Sequence, residues 1–398
     1  MSNAQISVGE IFRQYGNEFL SRHRLPVHWL KAIEAIKLCR TAELGGHVEK
    51  CIDCGHTKVH YNSCGNRHCP RCQGVNREKW VLEKQYDQLP VQYFHAIFTI
   101  PRELHPLFKY NRAKLYSFLL RCTWETLKQF ASNPQNRLNA KIGAIMILHT
   151  WTQQLEYHPH THCIIPAGGI DSRGNWKNAP SNGGFLFYFK ALADTFRGKF
   201  LWYLREMYDK NELNLPGQLD NKHQFVLLVK ALKNKQWNVK IEDPFPDNKH
   251  VTEYLGRYTH RIAITNSRIK SIDNGMVTFS YTDRTDNNKI KTKTVSVMKF
   301  MELFVQHFLP KHFMKIRNYG IFSSRSKTSA LAMARKSLKC KSPGKKKKFT
   351  IREVLLITKG IDVEKCPHCG GKMVVTKIIE PLRGPPRKLP LDKTFSAA

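Results

Sequence analysis

Two Cys-x-x-Cys pairs, Cys51 with Cys54 and Cys69 with Cys72, stand fourteen residues apart and constrain this chain more than any other feature. A two-residue gap lets both thiolates of a pair face one ion, and zinc takes four such ligands in a tetrahedron. The spacing of the two pairs is close to that of a zinc ribbon. Free thiols do not explain four cysteines at this spacing, so Cys51, Cys54, Cys69 and Cys72 are expected to hold structural Zn²⁺. Cys39, His47, Cys64 and His68 flank the same pairs. They leave open an interleaved module with a second zinc, or a single ion with Cys39 in the core and His47 on the surface. A further half-site, Cys366-Pro-His-Cys369-Gly-Gly, lies near the end of the chain, with Cys340 and His368 as possible completing ligands. The chain has eleven cysteines, an odd number, which argues against a disulfide framework.

Charge narrows the partners. Lysine and arginine number 65 against 31 acidic residues, a formal net charge of +34. Such an excess favours a polyanion, and nucleic acid is the usual one, because Lys and Arg contacts release counterions from phosphates. No apolar run reaches the ~18 residues of a membrane helix. The first residues lack the pattern of a signal peptide, so a soluble intracellular protein is expected. Hydrophobic residues make up 41%, enough for most of the chain to fold.

Hydrophobic periodicity predicts helices over 8–37, 76–89, 103–131, 185–210, 222–234, 250–264 and 299–308. Strands are expected over 92–100, 142–149, 160–165, 237–242, 276–281 and 289–297. Beyond about residue 323 the chain is rich in Lys and Ser, and KSPGKKKKF (341–349) reads as a mobile basic segment.

Two motifs carry chemistry. His160-Thr161-His162 lies on an expected strand, where alternation points both imidazoles to one face. Two such rings hold a divalent cation and leave positions open for phosphate oxygens. His158, His95 and Gln153 are candidates for a third ligand. On the expected helix from 250, Tyr254 and Tyr258 are four apart and share a face, with Arg257 and Arg261 on an adjacent one.

Taken in order, these pieces resemble a known family. The run from Cys51 through Asn66-Arg67-His68-Cys69-Pro70-Arg71-Cys72-Gln73 is similar to the zinc-binding segment of rolling-circle insertion-sequence transposases, the group named for insertion sequence ninety-one. So are Phe98-Thr99-Ile100-Pro101, His158-Pro159-His160-Thr161-His162-Cys163 and Tyr254-Leu255-Gly256-Arg257-Tyr258-Thr259-His260-Arg261. The match runs over roughly residues 10–325. The transposases it resembles belong to the HUH class, in which U is hydrophobic; Thr161 departs from that pattern.

The resemblance implies an α+β fold, with an N-terminal zinc-binding module and an HUH-endonuclease-like domain whose central antiparallel sheet is flanked by helices. The expected divisions are 1–90 (helical, zinc- and DNA-binding), 91–325 (catalytic) and 326–398 (basic, with the last Cys-x-x-Cys pair). The resemblance implies Tyr254 and Tyr258 as nucleophiles and His160 and His162 as ligands of a catalytic Mg²⁺ or Mn²⁺. Arg67, Arg71, Arg257 and Arg261 are expected to touch DNA. The implied reaction cuts and rejoins single-stranded DNA through a 5′-phosphotyrosine link, in the bacterial cytoplasm at the nucleoid. Rival readings are a plasmid replication initiator or relaxase with the same chemistry, or a non-enzymatic zinc-finger DNA-binding protein. No Gly-x-x-x-x-Gly-Lys-Ser/Thr loop is present, in keeping with rejoining that needs no ATP.

Overall fold

The computed structural model describes residues 6–180, 187–245, 250–251, 254, 256, 262–341, 344 and 347–382. The helical stretch expected over 8–37 is two helices, α1 (Val8–Arg22) and α2 (Val27–Leu38). Pro26 causes the break: it has no N–H to give a helix, and it drives the residue before it into an extended conformation. Ser7 starts α1, its side chain accepting from the Glu10 amide. A hairpin of β1 (Gly46–Cys51) and β2 (Thr57–Tyr61) follows, then α3 (Gln73–Gln85).

Next come β3 (Tyr93–Thr99), α4 (His105–Tyr110), α5 (Arg112–Ser132), β4 (Gly143–Trp151) and β5 (Tyr157–Pro166). A small hairpin of β6 (Gly168–Ile170) and β7 (Trp176–Asn178) precedes α6 (Phe189–Asp209), α7 (Lys222–Asn234) and β8 (Val239–Glu242). The remainder is β9 (Ile269–Asp273), β10 (Met276–Asp283), β11 (Lys289–Ser296), α8 (Val297–Val305), β12 (Ile316–Gly320), α9 (Lys327–Ser337), α10 (Ile351–Lys359) and β13 (Met373–Ile379). No described helix is long and apolar enough to cross a membrane.

The central sheet has the order β12-β4-β5-β3-β8, and every neighbouring pair is antiparallel. Alternation gives it two different faces. Phe94, Ala96, Phe98, Ala144, Met146, Leu148, Cys163 and Ile165 point to one side and join a core with Leu119, Leu120 and Leu127 of α5 and Phe196 and Phe200 of α6. The opposite face carries Ile145, Ile147 and Ile164, which pack with Val251, Tyr254, Ile321, Phe322 and Leu331. Further along that same face, apolar residues give way to histidines.

A separate core joins distant parts of the chain. Phe12 and Phe19 of α1 and Ile33 of α2 pack with Phe279 of β10 and Phe300 and Phe304 of α8. The N-terminal helices therefore share one core with Cys39, Cys69 and Cys72 of their own segment and with the three-stranded sheet β11-β10-β9. The end of the chain returns as well: β13 pairs antiparallel with β1, giving a sheet of order β13-β1-β2.

Candidate active site and cysteine clusters

Strand register assembles the histidines. His149 on β4 lies directly opposite His160 on β5, and Ile147 lies opposite His162. Opposed residues of an antiparallel pair share a face, so His149 joins His160 and His162 on the same side. The ligand-capable nitrogens of these three rings all lie within 4.8 Å of one another. His149 and His162 are buried, and His160 is half-buried.

The other ring nitrogens are held from outside the trio. His160 Nδ1 is 2.7 Å from the His158 carbonyl, so it donates there. His162 Nδ1 is 2.8 Å from His95 Nε2. With both Nδ1 atoms donating, the two Nε2 lone pairs face each other at 3.1 Å. A cation between them turns that repulsive arrangement into a bonding one, and this back-side support is the usual way a protein sets the tautomer of a metal-binding histidine. Burial pushes His160 down to about 3, which keeps it neutral and ready to ligate.

Of the three candidates for a third ligand, none takes that place. His158 supplies its carbonyl, and its ring turns toward His105. The register between β4 and β5 shifts between His149 and Trp151, and Pro159 follows His158, so strict alternation fails there. The Gln153 backbone carbonyl accepts from Arg268, and His149, not Gln153, completes a group with His160 and His162. His95 stands behind the trio. Its Nδ1 is 2.5 Å from Glu242 Oε2 on β8, its partner across the strand pair. Burial lowers the His95 value, opposed by Glu242, and the hydrogen bond from His95 holds Glu242 down at about 2.

Tyr254 meets this group. Its hydroxyl is 2.6 Å from His95 Nε2 and 3.3 Å from His162 Nδ1, and its ring packs against Phe245. A tyrosine, a histidine and a carboxylate therefore run in a line beside three metal-capable imidazoles. Tyr258, Arg257 and Arg261 lie outside the described residues.

The zinc assignment needs correcting. Cys51, Cys54, Cys69 and Cys72 do not form one site. Cys69 and Cys72 cluster with Cys39 and Cys64, whereas Cys51 and Cys54 cluster with Cys366 and Cys369. The reason is placement in the fold. Cys39 ends α2 and Cys72 starts α3, and the loop holding Cys64 brings that thiol to the same point. Cys39 and Cys64 sulfurs lie 3.5 and 3.6 Å from Cys72 Sγ. Hydrogen bonds from Cys39, Cys64 and Cys69 hold the Cys72 thiol well below its ordinary value, as suits a thiolate ligand. Cys51, at the end of β1, points away toward the returning end of the chain.

His47 and His68 are not ligands of either cluster. His47 pairs with Glu49 and stacks on His60, and His68 stacks on Phe308, where burial drives it down to about 3. Cys340 lies in neither cluster, and the His368 ring packs at a tilt against His56. Arg67 and Arg71 bind within the protein. Arg67 donates to the Phe313 carbonyl, and Arg71 to the Cys39 carbonyl and Ser7 Oγ.

Comparison with known proteins identifies relatives of this chain. A family model described as "Putative transposase" matches residues 143–330, the segment with the histidine strands and Tyr254. Another, described as "Transposase zinc-binding domain", matches residues 11–100 and contains Cys39, Cys64, Cys69 and Cys72. The chain is 36% identical over 397 residues to "Putative transposase y4qJ" of Sinorhizobium fredii, covering 97% of this chain and 99% of that one. It is 29% identical over 363 residues to "Transposase for insertion sequence element IS801" of Pseudomonas savastanoi pv. phaseolicola, covering 89% and 84%. No solved structure matches the chain. These matches make the chain a DNA-acting enzyme of the transposase class, and the matched zinc-binding domain with its cysteine clusters supports structural zinc. Within that class, the chain belongs to the IS91 family of insertion-sequence transposases.

Proposed function

We propose that this transposase cuts one DNA strand and rejoins it through a 5′-phosphotyrosine link made by Tyr254, in transposition of the rolling-circle type. The observation that carries the reading is the position of the Tyr254 hydroxyl, 2.6 Å from His95 Nε2 and 3.3 Å from an imidazole of the His149, His160 and His162 trio.

A phenol with an ordinary value near 10 is a poor nucleophile at neutral pH and needs a base. His95 takes the hydroxyl proton on Nε2 when the His162 Nδ1–H donates instead to the Tyr254 oxygen, 3.3 Å away, while Glu242 steadies the His95 Nδ1–H. The tyrosine oxygen attacks phosphorus, the bond from phosphorus to the 3′ oxygen breaks, and that oxygen leaves with a proton from solvent. A later 3′-hydroxyl reverses the step on the conserved phosphodiester energy. His149, His160 and His162 would hold a divalent ion, which supplies charge stabilisation at the scissile phosphate. Three nitrogen donors suit Mn²⁺ better than Mg²⁺, which prefers oxygen.

Tyr258, four residues along, is the proposed second nucleophile. Tyr258 is assigned to serve the same phosphate pocket in turn, since four residues of an ideal helix span about 6 Å. Arg257 and Arg261 are assigned to brace the phosphate. The test is a gel for covalent adducts on single-stranded oligonucleotides. Wild type should form the adduct with Mn²⁺. Tyr254→Phe combined with Tyr258→Phe should form none, and His149→Ala should lose it while still binding DNA. Undiminished adduct in the double tyrosine variant refutes the reading.

A further inference from the structure

The last Cys-x-x-Cys pair lies beyond residues 11–100, the span of the matched zinc-binding domain, yet it closes on a pair inside it. Cys51 Sγ is 3.5 Å from Cys369 Sγ, and Cys54 Sγ is 3.6 Å from Cys366 Sγ. The two pairs are built alike. Each is followed by a glycine with positive φ, Gly55 at 74° and Gly370 at 76°. That left-handed residue turns the chain back, so that the Gly55 amide meets the Cys51 carbonyl at 3.1 Å and the Gly370 amide meets the Cys366 carbonyl at 2.9 Å. The second knuckle also aims amides at its sulfurs: His368 N lies 3.4 Å from Cys366 Sγ, and Gly371 N lies 3.4 Å from Cys369 Sγ. Amides pointed at sulfur favour thiolates, and four thiolates in one cluster are a closed structural zinc set.

The surrounding sheet has little else to hold it. Of its apolar side chains, Cys51, Cys366 and Met373 alone form the buried cluster. Val375 and Ile378 of β13 are exposed, and so are Val59 and Tyr61 of β2. Three short strands without a hydrophobic face are not stable alone, and a small module lacking a core commonly gains its folding energy from metal. The clasped segment reaches further, because α10 packs along α3 and Thr358 Oγ1 donates to Glu78 at 3.0 Å.

We infer that Cys51, Cys54, Cys366 and Cys369 bind a second zinc ion that fastens the C-terminal segment to the N-terminal hairpin. This fastens the chain beyond exposed Lys339, Lys341, Lys347 and Lys348, which lie between α9 and α10.

Zinc counted on the full-length protein should be two per chain. Cys366→Ser with Cys369→Ser should reduce it to one, and amide exchange over residues 373–379 should speed up by about tenfold or more, with strands β4 and β5 unchanged. Cys369→His, which keeps a zinc ligand, should restore both the count and the protection. A wild-type chain with one zinc overturns the inference. So does a double variant that keeps two, or one that loses an ion without loosening β13. If the double variant precipitates, the same two measurements on Cys369→Ser decide.

Discussion

At the scale of single residues, the candidate site depends on His95 more than on any other side chain. It contacts His162 and Tyr254 through Nε2 and Glu242 through Nδ1, so it touches both the proposed metal ligand and the proposed nucleophile. Glu242→Gln removes the charge that fixes this tautomer and leaves the shape. Glu242 lies on the edge strand β8 with its side chain 35% exposed, so folding should be little affected. Loss of such an outer partner typically costs about 10- to 100-fold in metal affinity or activity. Adduct formation by the variant should fall within that range while its melting temperature stays near wild type; an unchanged rate would show that His95 needs no brace. His160, His162 and Tyr254 were legible because short motifs place them on one face of a strand or helix. His149 and Glu242 were not. His149 follows an apolar run and Glu242 ends an alternating strand, and the placement of each comes from strand register, which no local pattern encodes. The thiols were misassigned for a related reason. Spacing within a Cys-x-x-Cys pair is local, but which pairs share an ion depends on where the chain returns.

At the scale of elements, most strands and helices follow from periodicity, and the departures have local causes. Pro26 divides the first helix, and β13 escapes notice because its exposed Val375, Thr376, Lys377 and Ile378 lack the alternation of a half-buried strand. The partner of α1 is also hidden from local pattern. Its apolar stripe fits a helical bundle equally well, yet Phe12 packs 5.9 Å from Phe304 of α8 and 6.3 Å from Phe19, fully buried. Phe12→Ala should therefore destabilise more than the N-terminal helices. The loss expected for a buried phenylalanine is about 3–5 kcal/mol. Urea unfolding followed at Trp29 and through exchange of β10 amides should show both regions weakened together. If β10 keeps its protection while α1 melts, the shared core does not couple them.

At the scale of the whole molecule, charge governs how the enzyme meets its substrate. Surface ion pairs such as Lys114–Glu212 and Lys210–Glu206 use a share of the carboxylates, but 31 acidic residues cannot neutralise 65 basic ones. A net +34 on one chain repels itself, and a polyanion relieves that repulsion. Arg67 and Arg71 contribute to the field although their guanidinium groups are bound internally. Exposed Lys339, Lys341 and Lys348, between α9 and α10, can approach a backbone, whereas Lys289 and Lys291 of β11 are paired with Asp286 and Asp283. Binding should then release counterions, with log affinity falling by about 0.7 per phosphate contact for each log unit of salt on single strands, and by about 0.9 on duplex. Fluorescence anisotropy with a single-stranded oligonucleotide over a salt series gives the slope directly. A slope equal to several contacts is expected, and Lys347→Gln with Lys348→Gln should lower it by about one to two contacts if the chain between α9 and α10 touches phosphate. The same variant should keep its two zinc ions, which separates loss of DNA contact from loss of the clasp. A slope near zero would mean that recognition rests on bases rather than backbone, and the excess charge would need another partner.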